Sequence, residues 1–114
     1  MGITAIKTII NKTDELIEIS KREDANDSVS VLPNSMIYEE IWIPWVVNQQ
    51  DFDKKTIEIR YTKSNKVIYV WQHGDKVRYS SVGFENPAKA IPGDSQVDGD
   101  RTLTIESSYP VLSK

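Results

Sequence analysis

The most apolar segment of the sequence, residues 41–47, contains Trp42 and Trp45 on either side of Pro44. In a regular strand, residues three apart point to opposite faces, so both indoles enter the core only if Pro44 bends the chain between them. The spacing otherwise leaves one tryptophan exposed. An exposed indole has a flat apolar face beside a polar N–H, and such a ring can stack on the apolar face of a sugar.

Polar side chains suited to binding sugar hydroxyl groups follow this segment and recur in a later loop. Asn48 and Gln49 come directly after it, and Asp94 and Asp98 lie in a stretch rich in glycine and aspartate. The sequence therefore predicts a carbohydrate site made of these four residues and the two tryptophans. Tryptophan also suits the membrane–water interface, so a small cytolysin-like sandwich that binds membrane lipid is the alternative.

The stretch 92–100 also concentrates the oxygen ligands that Ca²⁺ prefers. Asp94, Asp98 and Asp100 could converge on such an ion, although their spacing differs from that of the EF-hand loop. Aspartate and glycine are equally common in turns, so the competing interpretation is a solvated loop with a tight turn at Asp98 and Gly99. No cofactor other than Ca²⁺ is indicated.

Catalysis has little support in the residue types present. The chain has no cysteine, which excludes thiol catalysis, disulfides and cysteine–zinc sites. His73 is the single histidine, and no Gly-x-Ser-x-Gly nucleophile motif accompanies it. We therefore expect a non-catalytic, lectin-like binding module rather than an enzyme.

Composition and charge indicate one soluble globular domain over residues 1–114. Charged residues make up 27% and hydrophobic residues 39% of the chain, which is typical of a folded protein. The 14 basic residues are scattered among 17 acidic ones, so nucleic acid is not expected as a partner. Neither a signal peptide nor an apolar stretch of the roughly 20 residues that span a bilayer is recognised. The compartment is not predicted.

Alternation of apolar and polar residues with a period of two recurs along the chain and predicts an all-β fold. About seven to eight short strands favour an antiparallel β-sandwich, with a small closed β-barrel as the alternative. The predicted strands are 3–10 and 16–20, as an opening hairpin, then 29–32, 36–43, 56–62, 67–72, 76–82 and 101–106, with 107–114 docking as an edge strand. The predicted loops are 22–28, 48–53 and 83–100.

Strands 56–62, 67–72 and 76–82 form a predicted meander in which two apolar faces compete for the core. The aromatic residues are expected to face the core with Ile57 and Ile59; they are Tyr61, Tyr69, Trp71 and Tyr79. Ile68 and Val70 then lie on the outer face. An exposed apolar pair of this kind could join two copies of the chain, so a homo-oligomeric assembly subunit is the third functional alternative.

Overall fold

The computed structural model describes residues 3–22, 24–82 and 89–114, and it shows two β-sheets on either side of one core. The elements in chain order are β1 (Thr4–Asn11), β2 (Ile17–Lys21), β3 (Asp24–Val31), β4 (Ser35–Trp42), α1 (Gln49–Lys55), β5 (Ile57–Tyr61), β6 (Lys66–His73), β7 (Lys76–Ser80), β8 (Lys89–Ala90), β9 (Gly99–Ile105) and β10 (Pro110–Ser113). The all-β sandwich is confirmed, and the described strands form two separate sheets instead of a closed barrel.

The two sheets differ in size and in connectivity. The four-stranded sheet has the order β10-β9-β1-β4, and the six-stranded sheet has the order β3-β2-β5-β6-β7-β8. Strand β1 pairs antiparallel with β4 but parallel with β9, and this is the one named strand pair among the described residues that departs from the predicted antiparallel arrangement. The meander β5-β6-β7 is confirmed, and β10 docks as an edge strand, as the apolar residues of the tail predicted.

The predicted opening hairpin is wrong, because β1 and β2 belong to different sheets. The turn between them is fixed by Asn11, whose Nδ2 donates to the carbonyl oxygens of Glu15 at 2.8 Å and Val31 at 3.0 Å. The backbone N–H of Thr13 donates to Asn11 Oδ1 at 2.9 Å. Asn11 is buried, and these bonds satisfy its amide. Turn composition predicted where the chain reverses but not which sheet it enters.

Two further segments that were predicted as loops are regular structure. Residues 24–28 belong to β3, which lies at the edge of the six-stranded sheet. Residues 49–55 form α1, which begins after Asn48, whose Oδ1 accepts a hydrogen bond from the N–H of Asp51 at 2.8 Å. In the third predicted loop, β8 and the start of β9 are strands, and residues 83–88 lie outside the described residues.

The meander turns its aliphatic residues inward. Ile57 lies opposite Val70, and Ile59 lies opposite Ile68. Residues directly opposite each other share a face, and all four of these side chains are buried in the core. The prediction that Ile68 and Val70 lie outside is therefore wrong, and self-association cannot use these two side chains.

Tyr69 and Trp71 lie on the outer face of the same sheet, where α1 covers them. Phe52 of α1 packs edge-on against both rings, with centroid distances of 5.2 Å to each. The guanidinium of Arg22 lies 4.5 Å from the centre of the Tyr69 ring and donates to the Phe52 carbonyl at 2.8 Å. The helix therefore makes a third layer, which is why these two aromatic residues are not in the main core. Tyr61 and Tyr79 do face that core, as predicted.

Candidate functional site

After β4, the chain crosses from the four-stranded sheet to the six-stranded sheet. The Pro44 carbonyl accepts a hydrogen bond from the N–H of Gln72 at 2.7 Å, and Val46 N–H donates to the Gln72 carbonyl at 2.9 Å. Trp45 lies between them and forms a short parallel bridge to Gln72. At Pro44 the backbone stops pairing with one sheet and starts pairing with the other. Because proline has no N–H, this position leaves no backbone donor without a hydrogen bond.

Trp42 and Trp45 line the same cleft, which has a volume of about 200 Å³. Trp42 is the last residue of β4 and is 53% exposed, whereas Trp45 is half-buried. The crossing at Pro44 breaks the strand alternation that separates residues three apart, and it brings both indoles to one cavity. The remaining lining residues are Ile3, Lys21, Ile43, Pro44 and Gln72.

The exposed ring of Trp42 is fixed at its polar edge. Its Nε1 donates to Oε1 of Glu40 at 2.9 Å, and Nζ of Lys7 lies 3.0 Å from the same oxygen. These two hydrogen bonds, and the charge of Lys7, hold the pKa of the Glu40 carboxyl below its ordinary value. The Glu40 carboxylate therefore orients the indole.

Because the hydrogen bonds favour the ionised carboxylate, Glu40 should release Trp42 only in acid, as the pH falls through the lowered pKa. We expect the indole N–H signal of Trp42, assigned by its loss in Trp42→Phe, to titrate in nitrogen-15 NMR spectra below the ordinary carboxyl value of 4.5. Glu40→Ala should abolish the titration, and Glu39→Ala, at the adjacent exposed position, should leave it intact. A midpoint at or above the ordinary value would contradict the arrangement.

Asn48 and Gln49 are close to the tryptophans in sequence but serve the helix. The Asn48 side chain accepts the hydrogen bond that begins α1. Nε2 of Gln49 donates to Oδ1 of Asp53 at 3.0 Å, one helical turn later. Both side chains are exposed, and neither lines the cleft.

The loop that carries the predicted aspartates folds around a buried arginine. Nη2 of Arg101 donates to the carbonyl oxygens of Gln96 at 2.9 Å and Asp98 at 3.0 Å, and Nη1 donates to the carbonyl of Asp100 at 2.9 Å. Oδ1 of Asp94 lies 3.7 Å from Nη2. The positive charge that these loop oxygens contact is therefore the guanidinium of Arg101.

Sequence reasoning missed Arg101, although a signal was present. Arg101, Leu103 and Ile105 alternate along β9 and share its buried face. An arginine in such a row must find acceptors, and the nearest ones are in the loop before it. Within the described ranges, no three acidic or histidine side chains are grouped to hold a metal ion. Ca²⁺ at the three aspartates stays a prediction.

A buried chain of hydrogen bonds connects Asp98 to the cleft. The N–H of Asp98 donates to Oγ1 of Thr4 at 2.6 Å, and Oγ1 of Thr4 donates to Oε1 of Gln72 at 2.7 Å. Gln72 lines the cleft, and its Nε2 donates to the carbonyl of Ile43. The structure therefore brings the two tryptophans to one cleft and connects the backbone of Asp98, through Thr4, to Gln72 in its wall. The side chains of the other predicted residues do not line the cleft.

His73 has a backbone partner near the cleft. Its Nδ1 lies 2.9 Å from the carbonyl oxygen of Val46, an acceptor, so this nitrogen carries the donated proton. The ring therefore helps to hold the crossing segment beside β6.

No protein-family model, curated protein or solved structure gives a significant match to the chain. Among the described residues, no helix is both long and apolar enough to cross a membrane. Function has to be argued from the chemistry of the cleft and of the surfaces around it.

Proposed function

We propose that the protein is a non-catalytic carbohydrate-binding module whose ligand stacks against Trp42 and Trp45. The observation that carries the proposal is the shared cleft of the two indoles, one exposed and one half-buried. A pyranose ring presents C–H groups on its faces and hydroxyl groups around its rim. An aromatic ring covers such a face and leaves the rim accessible to polar groups and water.

Pre-organisation of the ring supports the same proposal. Immobilising a side chain at an interface costs about 0.5–1.5 kcal/mol. Trp42 avoids part of this cost because Glu40 already holds its Nε1. Trp42 is 53% exposed, so its ring does not fill space in the core, and the hydrogen bond to Glu40 holds it with one face open to solvent.

The first test is a glycan array followed by calorimetric titration of the best sugar. Trp42→Ala and Trp45→Ala should each weaken binding at least tenfold, about 1.4 kcal/mol, because each removes one wall of the cleft. Tyr109→Ala is the control, since this tyrosine is also exposed (42%) but does not line the cleft. Unchanged affinity in both folded tryptophan variants would overturn the proposal.

Running the array with Ca²⁺ and again with EDTA tests the predicted ion in the same experiment. Loss of binding in EDTA would support the predicted Ca²⁺ at Asp94, Asp98 and Asp100. Binding that is equal in both buffers would count against that ion and would leave Arg101, which donates to three carbonyl oxygens of the loop, as the group that organises it.

A membrane interface is the second candidate, favoured by the exposed apolar residues near the cleft. Ile3, which lines the cleft, is 56% exposed, and Val47, two residues after Trp45, is 62% exposed. The net charge of −3 gives no attraction to anionic lipid, so insertion would have to depend on these side chains. Sedimentation with phosphatidylcholine vesicles that is lost in Val47→Asp would support this candidate over a sugar.

A further inference from the structure

The outer face of β4 carries a second exposed aromatic ring in line with Trp42. Met36, Tyr38, Glu40 and Trp42 are exposed at alternate positions of β4 and form one row, and the pairing of β4 with β1 shifts register within it, between Tyr38 and Ile41. Tyr38 is 74% exposed and Trp42 is 53% exposed. Because β4 is an edge strand of the four-stranded sheet, the row is open to solvent along the face and along the side.

Polar residues lie beside the two rings on the same face. Thr8 of β1 lies opposite Tyr38, and Thr102 of β9 lies opposite Thr8. Beside Trp42, the small residue Ala5 lies opposite both that ring and Asp100. Each aromatic ring therefore has an oxygen-bearing side chain two strands away, at about 10 Å given a strand spacing near 4.8 Å.

The two charged side chains between Tyr38 and Trp42, Lys7 and Glu40, form an ion pair with no net charge. Lys7 and Glu40 meet at 3.0 Å, and Glu40 lies in the row between Tyr38 and Trp42. A ligand passing from one ring to the other therefore meets a paired ammonium and carboxylate, both of which can hydrogen-bond to hydroxyl groups. This environment suits an uncharged polar chain better than a strongly charged one.

The separation of the rings requires a long ligand. Tyr38 and Trp42 are four residues apart on β4, and their partners Thr8 and Ala5 are three residues apart on β1, which corresponds to about 10–13 Å. A single pyranose ring cannot contact both side chains over that distance. Trp42 is shared between this row and the cleft that Trp45 lines.

An added β-strand is a poor occupant of this edge. The pairing of β4 with β1 shifts register at Glu39 and Glu40, and both of these acidic side chains are exposed. An irregularity and exposed charges on an edge strand both oppose pairing with another strand. A peptide strand, or β4 of a second copy, is thereby disfavoured.

We infer that Tyr38 is a second stacking platform, and that the ligand is an extended, uncharged polysaccharide chain lying along β4 and ending at the Trp42–Trp45 cleft. This inference rests on the proposed function and adds its substrate class. Trp42 and Trp45 determine whether a sugar binds. Tyr38 determines whether a long chain binds more tightly than a short one.

Calorimetric titration with disaccharide-to-hexasaccharide ladders from cellulose, xylan, mannan and chitin tests the inference. In the ladder that binds, wild-type affinity should rise at least tenfold from disaccharide to hexasaccharide. Tyr38→Ala should remove that gain and leave the disaccharide affinity unchanged, and Tyr109→Ala should keep the gain. Equal melting temperatures of the variants establish that folding is intact.

The outcomes separate the inference from the proposed function. Binding without length dependence, or a Tyr38→Ala variant that keeps the full gain, overturns the inference and leaves the carbohydrate-binding function standing. Failure of every ladder and of the glycan array overturns both. Loss of disaccharide affinity in Tyr38→Ala would place this ring inside the primary site and would also overturn the inference.

Discussion

Gly93→Ala is expected to destabilise the protein by at least about 3 kcal/mol. Gly93 has a φ of +89°, in a region where residues with a Cβ cost of order 1–3 kcal/mol. An added Cβ would also lie 2.0 Å from the Leu112 carbonyl oxygen and 2.9 Å from Cγ1 of Val111. The backbone cannot retreat cheaply, because hydrogen bonds join Pro92 and Asp94 to Leu112 on either side.

Gly74→Ala is the matched control for this substitution. Gly74 also has a positive φ, +67°, but no atom lies within 4 Å of its added Cβ. The two variants share the backbone cost, so their difference in unfolding free energy measures the contact with β10. Urea denaturation gives both values, and Gly93→Ala should also melt roughly 10 °C lower than Gly74→Ala. Equal stability of the two variants would show that β10 is not held against residues 92–94.

Arg101→Met is expected to cost about 2–4 kcal/mol, because several carbonyl acceptors lose a charged donor and each such loss costs roughly 1–3 kcal/mol when the acceptor stays shielded from water. The guanidinium satisfies the carbonyl oxygens of Gln96, Asp98 and Asp100, and methionine offers no donor to them. Because Asp98 is also bonded to Thr4, disorder in this loop should reach the cleft. We therefore expect weaker glycan binding together with lower stability.

Two further substitutions separate the contribution of the planar set of guanidinium donors from the contribution of the positive charge. Arg101→Lys keeps the charge but loses the planar set of donors, so it should fall between wild type and Arg101→Met. Arg60→Met removes an exposed ion pair with Glu58 and should change stability by less than about 1 kcal/mol. Chemical denaturation of the three variants checks the order. Similar losses in Arg60→Met and Arg101→Met would contradict the role assigned to the buried guanidinium.

Local patterns predicted the parts of the fold that depend on local interactions. The meander β5-β6-β7 was found because strict alternation and short turns are properties of adjacent residues. Which strand pairs with which does not depend on adjacent residues alone. The turn at residues 11–15 resembles the turns of the meander in composition, yet it joins strands of two different sheets. Helix α1 was missed because it is short, although Asn48 followed three residues later by Asp51 is a capping signal.

The missed helix also explains the error about the meander faces. Tyr69 and Trp71 looked like core residues because no other cover for them was anticipated, and Phe52 of α1 provides it. For the site, the unusual position of Pro44 between two tryptophans was visible in the sequence. The route of the chain after it was not, because that route depends on backbone bonds to Gln72, far along the chain.

The parallel pairing of β1 with β9 has a consequence for how the chain reaches its folded state. Thr4 lies beside Gly99, and Asn11 lies beside Ile105, so the centre of the four-stranded sheet joins residues from opposite ends of the sequence. Closing that contact orders most of the chain in one step, before the pairing returns any free energy. Folding is therefore expected to be slow for a chain of this size, in the range of milliseconds to seconds. The cleft, which includes Ile3 and depends on Thr4, is complete only when β1 is in place.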